Sequence, residues 1–262
     1  MGKKKHLKGI DESEMELINE KMSGNGIQSS FVSQLKLLGY KIDIKCKTEA
    51  QKQFLNELKN KKNEICFGIG APGTGKSFIS LSYALRELKE GNYERIIMIV
   101  PTAPAGGIDL NLGYLKGELD DKVKPFKAAD METIAKILRL SGNVGESQIA
   151  GNLICSGYIK YEFINFLLGK TLDNAIILVN EAEQYTKENL KLILTRIGEN
   201  CKVIITGDCE QVNRNSIVKK KDVCGLDYAA NVLSELEEIS VTEFSKDDIV
   251  RNKLITKILE LW

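Results

Sequence analysis

Gly70-Ala71-Pro72-Gly73-Thr74-Gly75-Lys76-Ser77 satisfies the pattern G-x-x-x-x-G-K-[ST]. An apolar run, 65–69, precedes it, and an amphipathic stretch opens at Lys76. The expected context is therefore strand, loop, helix. Each residue type has a physical job there. Glycines let the backbone curl until successive N–H groups point inward at phosphate oxygens. The following helix N-terminus adds a positive dipole, Lys76 reaches the β- and γ-phosphates, and the Ser77 hydroxyl ligates Mg²⁺. Gly70 to Ser77, with Phe78 next to them, are taken as nucleotide-binding residues, and ATP with Mg²⁺ as the expected cofactors. Without the flanking strand and helix the same string would read as a glycine-rich turn with a solvated lysine.

Outward from this loop, short apolar runs alternate with helical patterns. Strands are expected over 65–69, 96–100, 153–155, 176–179, 203–206 and 239–244. Helices are expected near 76–89, 131–140, 187–197, 227–236 and 252–261. Thr48 can cap a further helix through Leu58, with Gln51, Phe54 and Leu58 in helical register. Such alternation predicts an α/β fold, with a mainly parallel sheet covered by helices on both faces. Residues 1–45 read differently. A basic start, an acidic stretch around Glu12 and a Gly/Ser-rich segment, Ser23-Gly24-Asn25-Gly26, suggest a partly mobile arm ahead of a domain over 46–262.

Composition removes other classes. The chain has 262 residues, 43% hydrophobic and 28% charged, which excludes a disordered or collagen-like protein. With 37 Lys+Arg against 36 Asp+Glu the formal charge is +1, so bulk electrostatics would not hold nucleic acid as a histone does. The longest apolar runs, 96–100 and 175–179, fall far short of the ~20 residues of a membrane helix. The start Met1-Gly2-Lys3-Lys4-Lys5-His6 resembles neither a secretory signal nor a myristoylation site. A cytoplasmic protein without membrane contact is expected. Six scattered cysteines and one histidine argue against a zinc ribbon or finger, and Cys66, Cys155 and Cys201 read as reduced core thiols.

Two more strand ends carry polar groups. The run 175–179 ends in Asn180-Glu181. In phosphate-loop sites such a strand end supplies a metal-holding acid and then a water-polarising Glu. Here a neutral amide, Asn180, takes the metal position and Glu181 the base; an incidental strand-end Glu is the competing reading. The run 203–206 ends in Thr206-Gly207-Asp208, with Gln211 soon after. Alone, Asp208 could merely cap a helix; beside the other two strand ends it suggests γ-phosphate sensing.

Together these segments resemble the PhoH family of P-loop ATPases, relatives of superfamily-one helicase cores. The matching stretches are Thr48-Glu49-Ala50-Gln51, Phe67 to Ser77, Leu112-Gly113-Tyr114-Leu115-Lys116-Gly117-Glu118, Asn180-Glu181-Ala182, Leu194-Thr195-Arg196, Thr206-Gly207-Asp208 with Gln211-Val212, and Asp248-Ile249-Val250-Arg251. The resemblance implies a RecA-like sheet with the Thr206 strand lying between the phosphate-loop and Glu181 strands. It also implies adenine contact by Gln51, γ-phosphate reading by Asp208 and Gln211, and an arginine finger at Arg251. That finger would act across a subunit boundary of a homo-oligomeric ring, for which a hexamer is one candidate size. RNA or single-stranded nucleic acid is the implied partner of a helicase-like ATPase.

The departures from the family pattern are specific. Asn180-Glu181-Ala182-Glu183 stands where Asp-Glu-Ala-Gln is usual. Val100-Pro101-Thr102-Ala103-Pro104-Ala105-Gly106-Gly107 lacks the usual Arg and two acids, and Leu168-Gly169-Lys170-Thr171 stands for Arg-Gly-Arg-Thr. An oligomeric nucleotide-binding module with weak or vestigial hydrolysis is therefore the alternative. A small-molecule kinase is a third reading, disfavoured by Thr206-Gly207-Asp208 with Gln211. Lys219-Lys220-Lys221 is the best basic candidate for nucleic-acid contact, without an aromatic strip beside it.

Overall fold

The computed structural model describes residues 39–101, 119–209 and 224–250. Expectations placed on Gln211, the 219–221 lysines, Arg251 and a helix over 252–261 fall outside them. Along the chain run α1 (Glu49–Lys59), β1 (Ile65–Gly70), α2 (Lys76–Glu90), β2 (Arg95–Val100), α3 (Leu119–Leu140) and α4 (Glu146–Cys155). Then come β3 (Ile159–Phe163), β4 (Ala175–Val179), α5 (Lys187–Leu194), β5 (Lys202–Gly207), α6 (Gly225–Leu233) and β6 (Ile239–Phe244).

The strands form one six-stranded sheet in the order β3-β2-β4-β5-β1-β6. Every pairing in it is parallel. A parallel sheet needs cover on both faces, and its strands read as continuous apolar runs. Alternate residues supply the two faces. Ile96, Met98, Ile176, Leu178 and Ile204 pack with Phe54, Leu58, Leu85, Ile134 and Leu153 of α1 to α4. Ile97, Ile99, Ile177, Val179 and Ile205 face the other way, onto Leu190, Ile193, Leu226 and Ala230 of α5 and α6. The α/β expectation is thus met, with β5 between β1 and β4.

One strand expectation fails. Residues 153–155 are not a strand but the last turn of α4. Three apolar residues cannot distinguish the two states; Ile149, Ala150, Leu153 and Ile154 recur at helical spacing, with Ala150 and Leu153 buried. The strand lies just beyond, in β3, whose sequence Ile-Lys-Tyr-Glu-Phe mixes apolar and polar residues as an edge strand does. Cys155, expected in the core, is exposed at that helix end.

The core also reaches ahead of residue 46. Tyr40 is fully buried, its hydroxyl donating to the Leu85 carbonyl of α2 at 3.0 Å. Asn143 clasps the same segment, accepting from the Lys41 N–H and donating to its carbonyl, each at 2.7 Å. Tyr40→Ala is expected to cost roughly 3–5 kcal/mol, in the range of large-to-small core substitutions. Tyr40→Phe is expected to cost about 1 kcal/mol for the hydrogen bond. Urea denaturation measures both, and equal stability of all three chains would show that the segment does not hold the core together.

Candidate nucleotide site

The residues with chemical potential collect at the carboxyl edge of the sheet, where open α/β folds bind ligands. The loop after β1 is shaped by close approach. At Gly70 φ is +136°, and a Cβ would run into the Phe244 carbonyl oxygen at the end of β6. At Gly75 φ is +89°, and a Cβ would stand 2.7 Å from Gln51 Nε2. Glycine is the side chain both positions permit. Gly75 caps α2 without any side-chain hydrogen bond, and the first turn holds no acid. A helix N-terminus with no capping side chain and no carboxylate suits an anion.

Lys76 lies folded along its own loop. Its Nζ donates to the carbonyls of Gly70 at 2.5 Å and Ala71 at 2.7 Å, and lies 3.3 Å from Thr74 Oγ1. Thr74 Oγ1 in turn donates to the Ala71 carbonyl at 2.9 Å. The ammonium is thereby kept within the curl of the loop rather than waving in solvent, with 8% of the residue exposed.

Gln51 sits behind Gly75. Its Nε2 donates to the Thr74 carbonyl and its Oε1 accepts from the Lys47 N–H, each at 2.7 Å. The side chain is 3% exposed, so in this structure Gln51 braces the loop from behind. Thr48 holds the start of α1 beneath it, accepting from the Gln51 N–H. A further tether comes from beyond β6, where the Val250 N–H donates to the Gly73 carbonyl at 3.1 Å.

Across from Ser77 stand β4 and β5. Ser77 Oγ is 3.4 Å from Thr206 Oγ1, and the Thr206 hydroxyl donates to Asn180 Oδ1 at 2.9 Å. Two hydroxyls and an amide oxygen thus form one line of hard oxygen donors, which suits Mg²⁺ and not a soft cation. The donor set and the uncapped helix together fit a magnesium nucleotide. Nothing in the sequence pattern alone had given Thr206 this bridging position; its signal is a hydroxyl one residue before the end of an otherwise apolar strand.

Glu181 follows at φ +53°, a left-handed conformation rarely taken by a residue with a side chain. Tight local turns impose it, since Gln184 donates back to the Glu181 carbonyl and buried Tyr185 reaches across to the Ile99 carbonyl at 3.2 Å. Such backbone strain concentrates at functional turns. Glu183, two residues on, is buried and accepts from the Asp208 N–H at 2.9 Å. Burial, and then the neighbouring Glu181 carboxylate, push the Glu183 carboxyl up to about 7, against the opposing pull of backbone N–H donors. Asp208 itself is buried at the head of the same cleft.

The cleft has a volume of about 670 Å³. Pro72, Gly73, Gly75, Lys76, Ser77 and Phe78 line it from the loop, and Glu181, Glu183, Thr206 and Asp208 from the opposite strands. Lys47 and Lys136 add positive charge, and Lys45 lines the cleft paired with Asp43 at 3.2 Å. Its size falls within the range of small-ligand pockets. Sequence reading had named most of these residues but treated Glu183 only as a departure from pattern.

A carboxyl whose pKa is higher in the folded chain binds more protons when folded. Glu183 therefore weakens the fold most above its folded value of about 7, and the penalty fades as pH falls towards the ordinary 4.5. Glu183→Gln keeps an oxygen for the Asp208 N–H and removes the charge. The variant is expected to melt higher than the parent at about pH 8, with the gap closing by about pH 5. Parallel melting curves across that range would place the carboxyl's titration elsewhere.

The whole domain has known relatives. A family model described as PhoH-like protein matches residues 43–262. The PhoH-like protein of Bacillus subtilis is 32% identical over 219 residues, 84% of this chain and 64% of that protein. The PhoH-like protein of Mycobacterium leprae is 30% identical over the same share of this chain, and protein PhoH of Escherichia coli 29% identical, each covered over 58% of its own length. The chain therefore spans about three-fifths of these relatives. A parallel sheet with β5 between β1 and β4, a phosphate loop after β1, and a match over nearly all of that architecture lead to one assignment: the chain belongs to the PhoH family.

Proposed function

We propose that this chain is a Mg²⁺-dependent ATPase. The observation that carries the reading is the line Ser77–Thr206–Asn180, set between an uncapped helix N-terminus and Glu181. The loop N–H groups and Lys76 would hold the β- and γ-phosphates; Ser77 and Asn180 would hold the metal. Bound Mg²⁺ supplies charge neutralisation on the phosphate oxygens. Glu181 orients and deprotonates the attacking water, and Asp208, with Gln211, senses the γ-phosphate. Gln51 would reach adenine by exchanging its bond to the Thr74 carbonyl or the Lys47 N–H, and Arg251 contributes positive charge to a neighbouring subunit of a ring, for which a hexamer is a candidate size.

RNA or single-stranded nucleic acid is the proposed macromolecular substrate. The support is the PhoH resemblance and the basic run Lys219-Lys220-Lys221. Coupling is expected to appear as ATP turnover stimulated by one polymer class, so rates with RNA, with single-stranded DNA and with neither decide it. Equal rates in all three would leave an ATPase without that partner.

A second reading follows from one position. Asn180 contributes an amide dipole where a carboxylate would contribute a full negative charge to hold a hard cation. ATP would then chiefly organise an oligomer, with slow turnover. Asn180→Asp is expected to raise kcat by about tenfold or more if the missing charge limits hydrolysis. Robust parental turnover unchanged by the substitution removes the motive for this reading.

Lys76→Ala tests the common premise. Removing one partner of a buried, hydrogen-bonded charge pair costs about 2–5 kcal/mol, so ATP affinity is expected to fall about thirtyfold or more by calorimetry. Unchanged affinity would refute nucleotide binding at this loop.

A further inference from the structure

β5 ends beside the nucleotide cleft, and the next two residues are Asp208 and Cys209. Fifteen positions later Cys224 opens α6 as its N-cap, with Asp227 in the first turn. The fold brings the three side chains together: the sulfurs of Cys209 and Cys224 and a carboxylate oxygen of Asp227 all lie within 4.8 Å of one another. Cys224 is buried, while Cys209 is partly open to solvent.

We propose that Cys209, Cys224 and Asp227 form a thiolate-rich site for a zinc-class divalent cation. Two sulfurs at ~2.3 Å and one oxygen at ~2.1 Å from a tetrahedral Zn²⁺ are separated from each other by about 3.6–3.8 Å. The present separations, all within 4.8 Å, need to close by no more than about 1.2 Å to reach that arrangement, which side-chain rotation supplies. Two soft sulfurs and one oxygen select Zn²⁺ over Mg²⁺, which keeps this site chemically separate from the line of hard oxygens at Ser77. A water or added ligand takes the fourth position.

Polar groups already converge on the Cys224 sulfur. The Cys209 thiol donates to the Cys224 sulfur, and the backbone N–H groups of Asp227 and Leu226 at the start of α6 also point at it. Zn²⁺ binding replaces the two thiol protons, which leave to solvent, so affinity rises with pH. A bound cation ties the end of β5 to the start of α6, fastening both ends of the 210–223 segment. The same end of β5 carries Asp208, which lines the nucleotide cleft.

The test uses the full chain, reduced and stripped with a chelator, without nucleotide or Mg²⁺. Zn²⁺ is titrated in competition with a chromophoric chelator, and Co²⁺ serves as the spectroscopic stand-in. One equivalent is expected to bind with Kd below about 1 µM, and Co²⁺ is expected to show a thiolate-to-metal charge-transfer band. Cys209→Ser and Cys224→Ser are each expected to abolish the band. Asp227→Asn is expected to weaken binding about tenfold or more, and Cys155→Ser, at an exposed cysteine outside the cluster, to change nothing. Should Cys224→Ser not fold by circular dichroism, the half-exposed Cys209 and Asp227 variants still decide. Absence of tight Zn²⁺ binding, or an unchanged band in the Cys209→Ser chain, would overturn the proposal. These readouts are independent of ATP, so their failure leaves the nucleotide reading untouched.

Discussion

Strand β1 is hydrogen-bonded on both flanks, to β5 from Ile65 to Ile69 and to β6 from Ile65 to Gly70. The loop that follows it therefore leaves the sheet from a fixed point, at a residue so close to the Phe244 carbonyl that no side chain fits. Everything in the cleft is positioned relative to that exit. Thr206, on the neighbouring β5, faces Ser77 because the two strands share a parallel register, with Gly68 opposite Thr206. Asn180 joins them because β4 is the next strand over. Lys202 pins the arrangement at the opposite edge, its buried ammonium donating to the carbonyls of Leu58 at 2.8 Å and Asn60 at 2.9 Å, where α1 ends. A cation on the last carbonyls of a helix is well placed for the helix dipole.

Charge at this site has been redistributed rather than simply lost. Position 180 is neutral, while Glu183 places an acid under the Asp208 backbone, in contact with Glu181. Burial holds that added acid near neutrality's edge, so its charge is not freely available to a metal. At the ends of β4 and β5, then, Glu181 is exposed to the cleft while Glu183 and Asp208 are buried. The loop backbone and Lys76 lie on the other side of the cleft from this rearranged charge.

Where residues announce themselves by type and spacing, the sequence was enough. The phosphate loop, the apolar strands β1, β2, β4 and β5, the β-branched residues of edge strand β6, and the polar residues that follow β4 and β5 are all local patterns. Legibility failed where the deciding contact is distant. Leu153 reads as strand or helix until its partners across the sheet are known, and β3 escapes because an edge strand need not be apolar on both faces. Tyr40 looks like part of a polar arm until its contact with α2 is seen, 45 positions away in sequence. The thiol pair is the same kind of case. Cys209 and Cys224 are unremarkable in sequence and become a cluster only because β5 and α6 meet.

The Val250 N–H bond to the Gly73 carbonyl joins the phosphate loop to the chain immediately before Arg251. Its consequence is mechanical. The loop at Gly73 and the main chain at residue 250 share one hydrogen bond, so neither can shift by as much as an ångström without breaking that bond or drawing the other along.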